Sequence, residues 1–113
     1  MTAPGRSDPY LALIRERYRA LESIAQEKEA AGQGEHEVVI VYYTAGERIE
    51  VVGDIYIDDL SGILIIEGVD TGDNYCEVIA HPESTHFVLE ILPIGPEEDP
   101  RQKPGFVKED RSP

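Results

Sequence analysis

Five strand-like runs occupy residues 38–92, and the second of them most constrains what the chain can fold into. The runs are separated by turn-forming residues and cover 38–44, 48–58, 63–67, 75–80 and 86–92. Apolar residues of the second run alternate with polar ones, at Ile49, Val51, Ile55 and Ile57. Gly53 falls on the same apolar face, and a glycine inside a long half-buried strand indicates a sharp bend, as at a barrel corner.

An amphipathic helix precedes these runs. Between residues 8 and 31 the apolar residues recur at intervals of three or four, which is the period of one helical face. The stripe is too short for an independent coiled coil, so it should pack against the sheet. We predict that the packing residues are Leu11, Ile14, Tyr18 and Leu21.

These patterns predict a mostly-β chain with one N-terminal α-helix and a bent, five-stranded antiparallel small barrel. The expected parts are a flexible N-terminus over 1–7, the helix over 8–31, the barrel over 36–93 and a disordered, acidic and proline-rich tail over 94–113. The first, third and fifth runs are apolar on both faces and must be covered twice, by the barrel interior and by the helix or another subunit. Because a core of about sixty residues buries only roughly 60% of its unfolded surface, we expect a homo-oligomer.

Charge is segregated along the chain. Residues 35–95 contain thirteen Asp and Glu, no Lys and the single basic residue Arg48, whereas the flanking segments are nearly balanced. Such a surface repels nucleic acid and anionic membranes and attracts a basic protein partner. Strand alternation places Glu50, Asp54 and Asp58 on one outward face, so we predict that they bind that partner. A surface selected only for solubility or for a salt-rich cytoplasm would show the same excess.

The chain carries few signals of compartment. Its one cysteine, Cys76, excludes an internal disulfide and fits a reducing environment. The N-terminal residues lack an apolar signal core, and no apolar run approaches the ~20 residues needed to span a bilayer. We therefore expect a cytoplasmic protein with no membrane contact.

Two groups of residues could carry catalysis or bind a metal. The triplet formed by residues 70–72, Asp-Thr-Gly, matches that of aspartic proteases, but too little chain follows it for a flap, and a turn explains it as well. Three histidines, His36, His81 and His86, could join Cys76 in a metal site, although none has the spacing of a known zinc motif. We predict a non-enzymatic protein with no cofactor and no metal.

The order of elements resembles the Sm-like family of small β-barrels, particularly its Hfq-like members. The start of the helix, at residues 8–11 and 15–17, is similar to the helix opening of that group. The run at 39–43, with Gly46 and Ile49 behind it, is similar to the first hairpin of the Sm1 motif. The resemblance implies pairing of strand edges into a ring, and RNA binding. A plain SH3-like barrel would show the same order of elements.

The residues that bind RNA in the Sm-like family are not found in this sequence. The family's RNA-binding Asn and basic loop residues have no counterpart around Ser61 and Gly62. Our leading hypothesis is therefore protein–protein assembly, in which an acidic face of the barrel receives a basic partner, one form of which is mimicry of nucleic acid. The alternative is an Sm-like RNA-binding protein whose basic surface comes from the helix and the tail.

Overall fold

The structure, a computed structural model, describes residues 7–44, 46–101 and 103–105. Among these residues no helix is long and apolar enough to cross a membrane. The observed order of elements confirms the prediction of one N-terminal helix followed by five strands. The elements are α1 (Ser7–Ala30), β1 (His36–Thr44), β2 (Glu47–Ile57), β3 (Leu64–Val69), β4 (Tyr75–Ala80), a short 3-10 helix (Pro82–Ser84) and β5 (Phe87–Pro93).

All five strands belong to one antiparallel sheet, in the order β4-β3-β2-β1-β5. In the described part of the chain β4 and β5 do not pair with each other, so the sheet is open and the expected closed barrel is not formed. Helix α1 covers the apolar face of the sheet instead. Among the described residues, both outer strands consequently have one edge with no strand partner.

The core lies between α1 and one face of the sheet. From the helix, Leu11, Ile14 and Tyr18 are buried, and Leu21 is partly buried against the same cluster. The strands contribute side chains that are fully enclosed: Ile40, Ile55, Leu64 and Ile66. The N-terminal half of α1 is also tied to the segment before β5, because the Tyr10 hydroxyl donates to the Thr85 carbonyl at 3.2 Å.

Strand β2 leaves β1 partway along its length. It pairs with β1 only as far as Glu50, and its register with β3 shifts between Val51 and Ile55. Gly53 lies in this irregular stretch, where an added Cβ would come within 2.8 Å of the Glu67 Cβ. The glycine predicted to mark a bend therefore marks a bulge at which a neighbouring side chain approaches the backbone closely. We call the opening between residues 36–40 of β1 and 51–57 of β2 the β1–β2 split.

The structure differs from the expectation of a disordered tail. Ile94 N–H donates to the Glu35 carbonyl at 2.9 Å, which extends the contact between β5 and the start of β1. Farther on, Gly105 forms a parallel bridge with Asp54 of β2. Composition alone predicted disorder, but the free edge of β2 offers backbone groups that this segment can pair with. Residues 1–6 and 106–113, for which flexibility or disorder was predicted, lie outside the described residues.

Candidate functional site

A chain of ion pairs runs across the sheet face opposite α1. The Arg101 guanidinium donates from Nη1 to Glu37 Oε2 at 2.6 Å and from Nε to Glu50 Oε2 at 3.0 Å. Arg48 continues the chain, donating to Glu50 Oε1 at 2.8 Å and to Glu90 Oε1 at 2.6 Å. Three carboxylates from three strands thus hold two guanidinium groups. We call Glu37, Glu50 and Glu90 the carboxylate cluster.

The cluster holds Arg101 by its main chain as well as by its side chain. The Arg101 backbone N–H donates to Glu37 Oε1 at 2.8 Å, so both oxygens of one carboxylate contact this residue. The Arg101 side chain remains 41% exposed, against 13% for Glu37. Ion pairs this exposed contribute about 0–1 kcal/mol each, so the contact orients the segment without locking it in place.

The cluster lies over a second apolar layer. Val39 and Val41 are buried although they point away from α1, and they share the face of β1 that carries Glu37. The register places Glu90 opposite Val39 and Glu50 opposite Val41. The second covering that the two-sided apolar pattern of β1 requires is therefore built partly from charged residues of neighbouring strands. Beside it a polar groove of about 520 Å³ is lined by residues that include Arg48, Glu50 and Arg101.

The structure separates the three carboxylates that strand alternation grouped. Glu50 belongs to the carboxylate cluster, whereas the Asp58 carboxylate accepts from the Ser61 N–H at 2.9 Å and from its hydroxyl at 2.6 Å. Asp54 lies between them, at the bridge with Gly105. Glu37 and Glu90 were missed because their nearness to Glu50 depends on the pairing of β1 with two other strands. The one available signal was that Glu50 and Glu90 interrupt apolar runs.

The residues considered for catalysis have structural contacts. Asp70 Oδ1 accepts from the backbone N–H groups of Gly72 and Asn74, each at 2.9 Å, which makes this triplet a side-chain-stabilised turn. Burial, followed by the charges of Asp70 and Glu47, raises the pKa of the Cys76 thiol, which disfavours the thiolate. Over the described ranges, no three histidine, cysteine or carboxylate residues are grouped so as to hold a metal ion.

A cavity of about 200 Å³ lies between α1, the start of β1 and the C-terminal segment. Tyr18 lines it and is only 7% exposed. Burial, with the charges of Glu22 and Glu37, raises the pKa of Tyr18 to about 12. The hydroxyl therefore stays protonated at neutral pH. Pro100 and Arg101 form part of the opposite wall, so the cavity depends on the position of that segment.

Apolar side chains are exposed along both edges of the sheet. On β4 the outward residues Tyr75 and Ile79 are 62% and 70% exposed. On β5, Val88 is 40% exposed, and Leu13 of α1 lines an apolar groove of about 300 Å³ beside this strand. A free strand edge with apolar neighbours is a ready template for pairing with another chain.

Comparison of the chain with protein-family models, with curated proteins and with solved structures finds no match in any of the three.

Proposed function

We propose that this chain is a non-enzymatic assembly protein whose carboxylate cluster binds a basic, arginine-containing segment of a partner protein. The observation that carries the proposal is the way Arg101 is bound. Its guanidinium donates to both Glu37 and Glu50, and its backbone N–H donates to Glu37. Guanidinium groups match carboxylates in planar, directed pairs, so this arrangement recognises arginine and not only positive charge. Partner binding through Glu50, Asp54 and Asp58 stays a prediction, with Glu50 its best-supported member.

The charge distribution favours a protein partner over RNA. In the described parts of the chain the cations nearest the sheet are already paired: Arg48 and Arg101 with the carboxylate cluster, and Lys103 with Glu22 at 3.3 Å. Phosphate binding draws on free Lys and Arg, and the sheet supplies none in this region. The Sm-like RNA-binding alternative therefore depends on the helix and the tail.

A pair of titrations distinguishes these two functions. We expect a labelled peptide of alternating arginine and glycine to bind the full chain, and its affinity to fall as salt is raised from about 50 to about 200 mM, because ion pairs are screened. A labelled oligouridine should show no salt-sensitive binding under the same conditions. Retention of the RNA together with no binding of the peptide would reverse the assignment.

The second part of the proposal is self-assembly through the strand edges. We propose that the β4 edge of one copy meets the β5 edge of the next, in line with the pairing of strand edges that the resemblance to the Sm-like family implies. The exposed apolar residues on both edges support this, since they would become buried.

For this assembly we predict a native mass in solution that corresponds to two or more copies of the 12.6 kDa chain. Replacing Ile79 with lysine puts an uncompensated charge into the contact and should reduce that mass. The matched control is Leu60→Lys, since Leu60 is 99% exposed in the turn before β3 and lies on neither edge. Light scattering that reports a monomer for the unmodified chain at moderate salt would refute self-assembly. An equal loss of mass in both variants would refute the edge contact.

A further inference from the structure

We propose that residues 100–101 and 103–105 are a built-in occupant of the β1–β2 split, and that an extended, arginine-containing segment of the partner binds there by displacing them. This inference rests on the proposed function and adds two things to it. It specifies the backbone conformation of the partner segment, and it makes the chain's own C-terminal segment a competitor for the site.

The backbone of β2 has hydrogen-bonding groups that are open to an added segment. Where β2 leaves β1, its free edge presents the carbonyl of Gly53 and the N–H of Ile55. Gly105 uses both groups: its N–H donates to the Gly53 carbonyl, and its carbonyl accepts from the Ile55 N–H, each at 2.8 Å. This is the hydrogen-bond pattern of one added parallel strand residue. Strand addition is a recurrent mode of peptide binding, because the main chain supplies the hydrogen bonds whatever the peptide sequence.

The carboxylate cluster supplies the sequence preference. Arg101 lies four residues before Gly105, and its guanidinium contacts Glu37 on one side of the split and Glu50 on the other. The partner segment should therefore carry an arginine four residues before the residue that pairs with Asp54. A lysine should replace it poorly, because an ammonium group lacks the fixed fork of donors with which the guanidinium contacts both carboxylates.

The weakness of the contacts makes the occupant displaceable. The Arg101 side chain is 41% exposed and that of Lys103 78% exposed, so their ion pairs are screened by water. The segment competes mainly because it is tethered, which gives it an effective concentration on the order of millimolar. A partner with further contacts elsewhere on the surface can outcompete it.

The experiment is an NMR titration of the full-length chain with a capped synthetic peptide that has the sequence of residues 100–105. Binding is followed at the Ile55 amide, the donor to the Gly105 carbonyl. We expect the Arg101→Ala chain to bind the peptide roughly tenfold more tightly than the unmodified chain, because the tethered competitor is weakened. A peptide with lysine in place of its arginine should bind less tightly to both. The matched control is Arg17→Ala, an identical change in the groove beside β5.

The outcomes separate this inference from the proposed function. Equal affinity for the unmodified and Arg101→Ala chains would overturn the built-in occupant and leave the partner site intact. An equal gain in the Arg17→Ala chain would also overturn it, since the gain would then come from net charge alone. If neither the unmodified chain nor the variants bind the peptide, both proposals fail. Gly105→Pro offers a second variant. It removes the N–H that donates to the Gly53 carbonyl, so this chain, like Arg101→Ala, should bind the peptide more tightly than the unmodified chain does.

Discussion

Truncation of Leu11 to alanine is expected to lower the free energy of unfolding by about 2–5 kcal/mol, the largest effect of any single substitution considered. Leu11 is 1% exposed and belongs to the cluster between α1 and the sheet. Removing its side chain loses the transfer free energy of the buried carbons and leaves a cavity that a helix docked on a sheet cannot easily close. A small domain has only about 5–15 kcal/mol of stability, so the loss should be visible as a large shift in urea unfolding.

Leu13 is the matched control for this prediction. It lies two residues farther along the same helix, 54% exposed, so its truncation should cost well under half as much as that of Leu11. Leu21, which is only partly buried, should give a loss between the two. If Leu11→Ala and Leu13→Ala are equally stable, α1 does not dock on the sheet in the described way.

Replacement of Gly68 with alanine is expected to destabilise the fold by about 1–3 kcal/mol, through crowding and not through a cavity. An added Cβ would lie 2.6 Å from the Glu50 carbonyl oxygen and 2.6 Å from Ile49 Cγ2. The carbonyl belongs to the backbone of a paired strand, so β2 and β3 must separate to accept it. Because the same movement displaces Glu50, we also expect weaker binding of the arginine peptide.

Gly72→Ala provides the comparison. Its Cβ would meet the Asn74 side-chain nitrogen at 2.9 Å, and this is the movable end of an exposed side chain. Stability should then change by no more than about 0.5 kcal/mol, as for most surface substitutions. Chemical denaturation of the two variants side by side is the measurement, and a Gly68→Ala chain as stable as Gly72→Ala would show that β2 and β3 are less closely packed than described.

Local periodicity was enough to predict the elements of the fold. The apolar stripe of α1, the alternation in β2 and the turn-forming residues between the apolar runs depend only on residues close in sequence, so one helix and five strands followed from them. Closure of the sheet does not follow from such patterns, because it depends on whether β4 and β5 meet. The docking of residues 94–101 and 103–105 was missed for a related reason. Their composition is that of a tail, and the edge they pair with exists only after β2 has left β1.

The candidate site was only partly predictable. The excess of acidic residues and the outward position of Glu50 could be read from the sequence, but its neighbours could not. Glu37 and Glu90 are distant from Glu50 along the chain, and they join it through the register of β1 with β2 and β5. Strand alternation placed Asp58 on the same face as Glu50. Its carboxylate instead accepts hydrogen bonds from Ser61 in the turn that follows, which the alternation of residues along a strand cannot show.

The most direct test of the central claim is the affinity of the arginine–glycine peptide for two charge-matched triple variants. One replaces the carboxylate cluster with glutamine, at Glu37, Glu50 and Glu90. The other makes the same change at the exposed residues Glu16, Glu35 and Glu77. Both lose three negative charges, so general attraction to a cationic peptide falls equally. We predict that the first variant binds at least roughly tenfold more weakly than the second and loses most of its salt dependence, while the second loses only the general attraction. Equal affinities of the two variants would contradict the claim that this cluster recognises arginine.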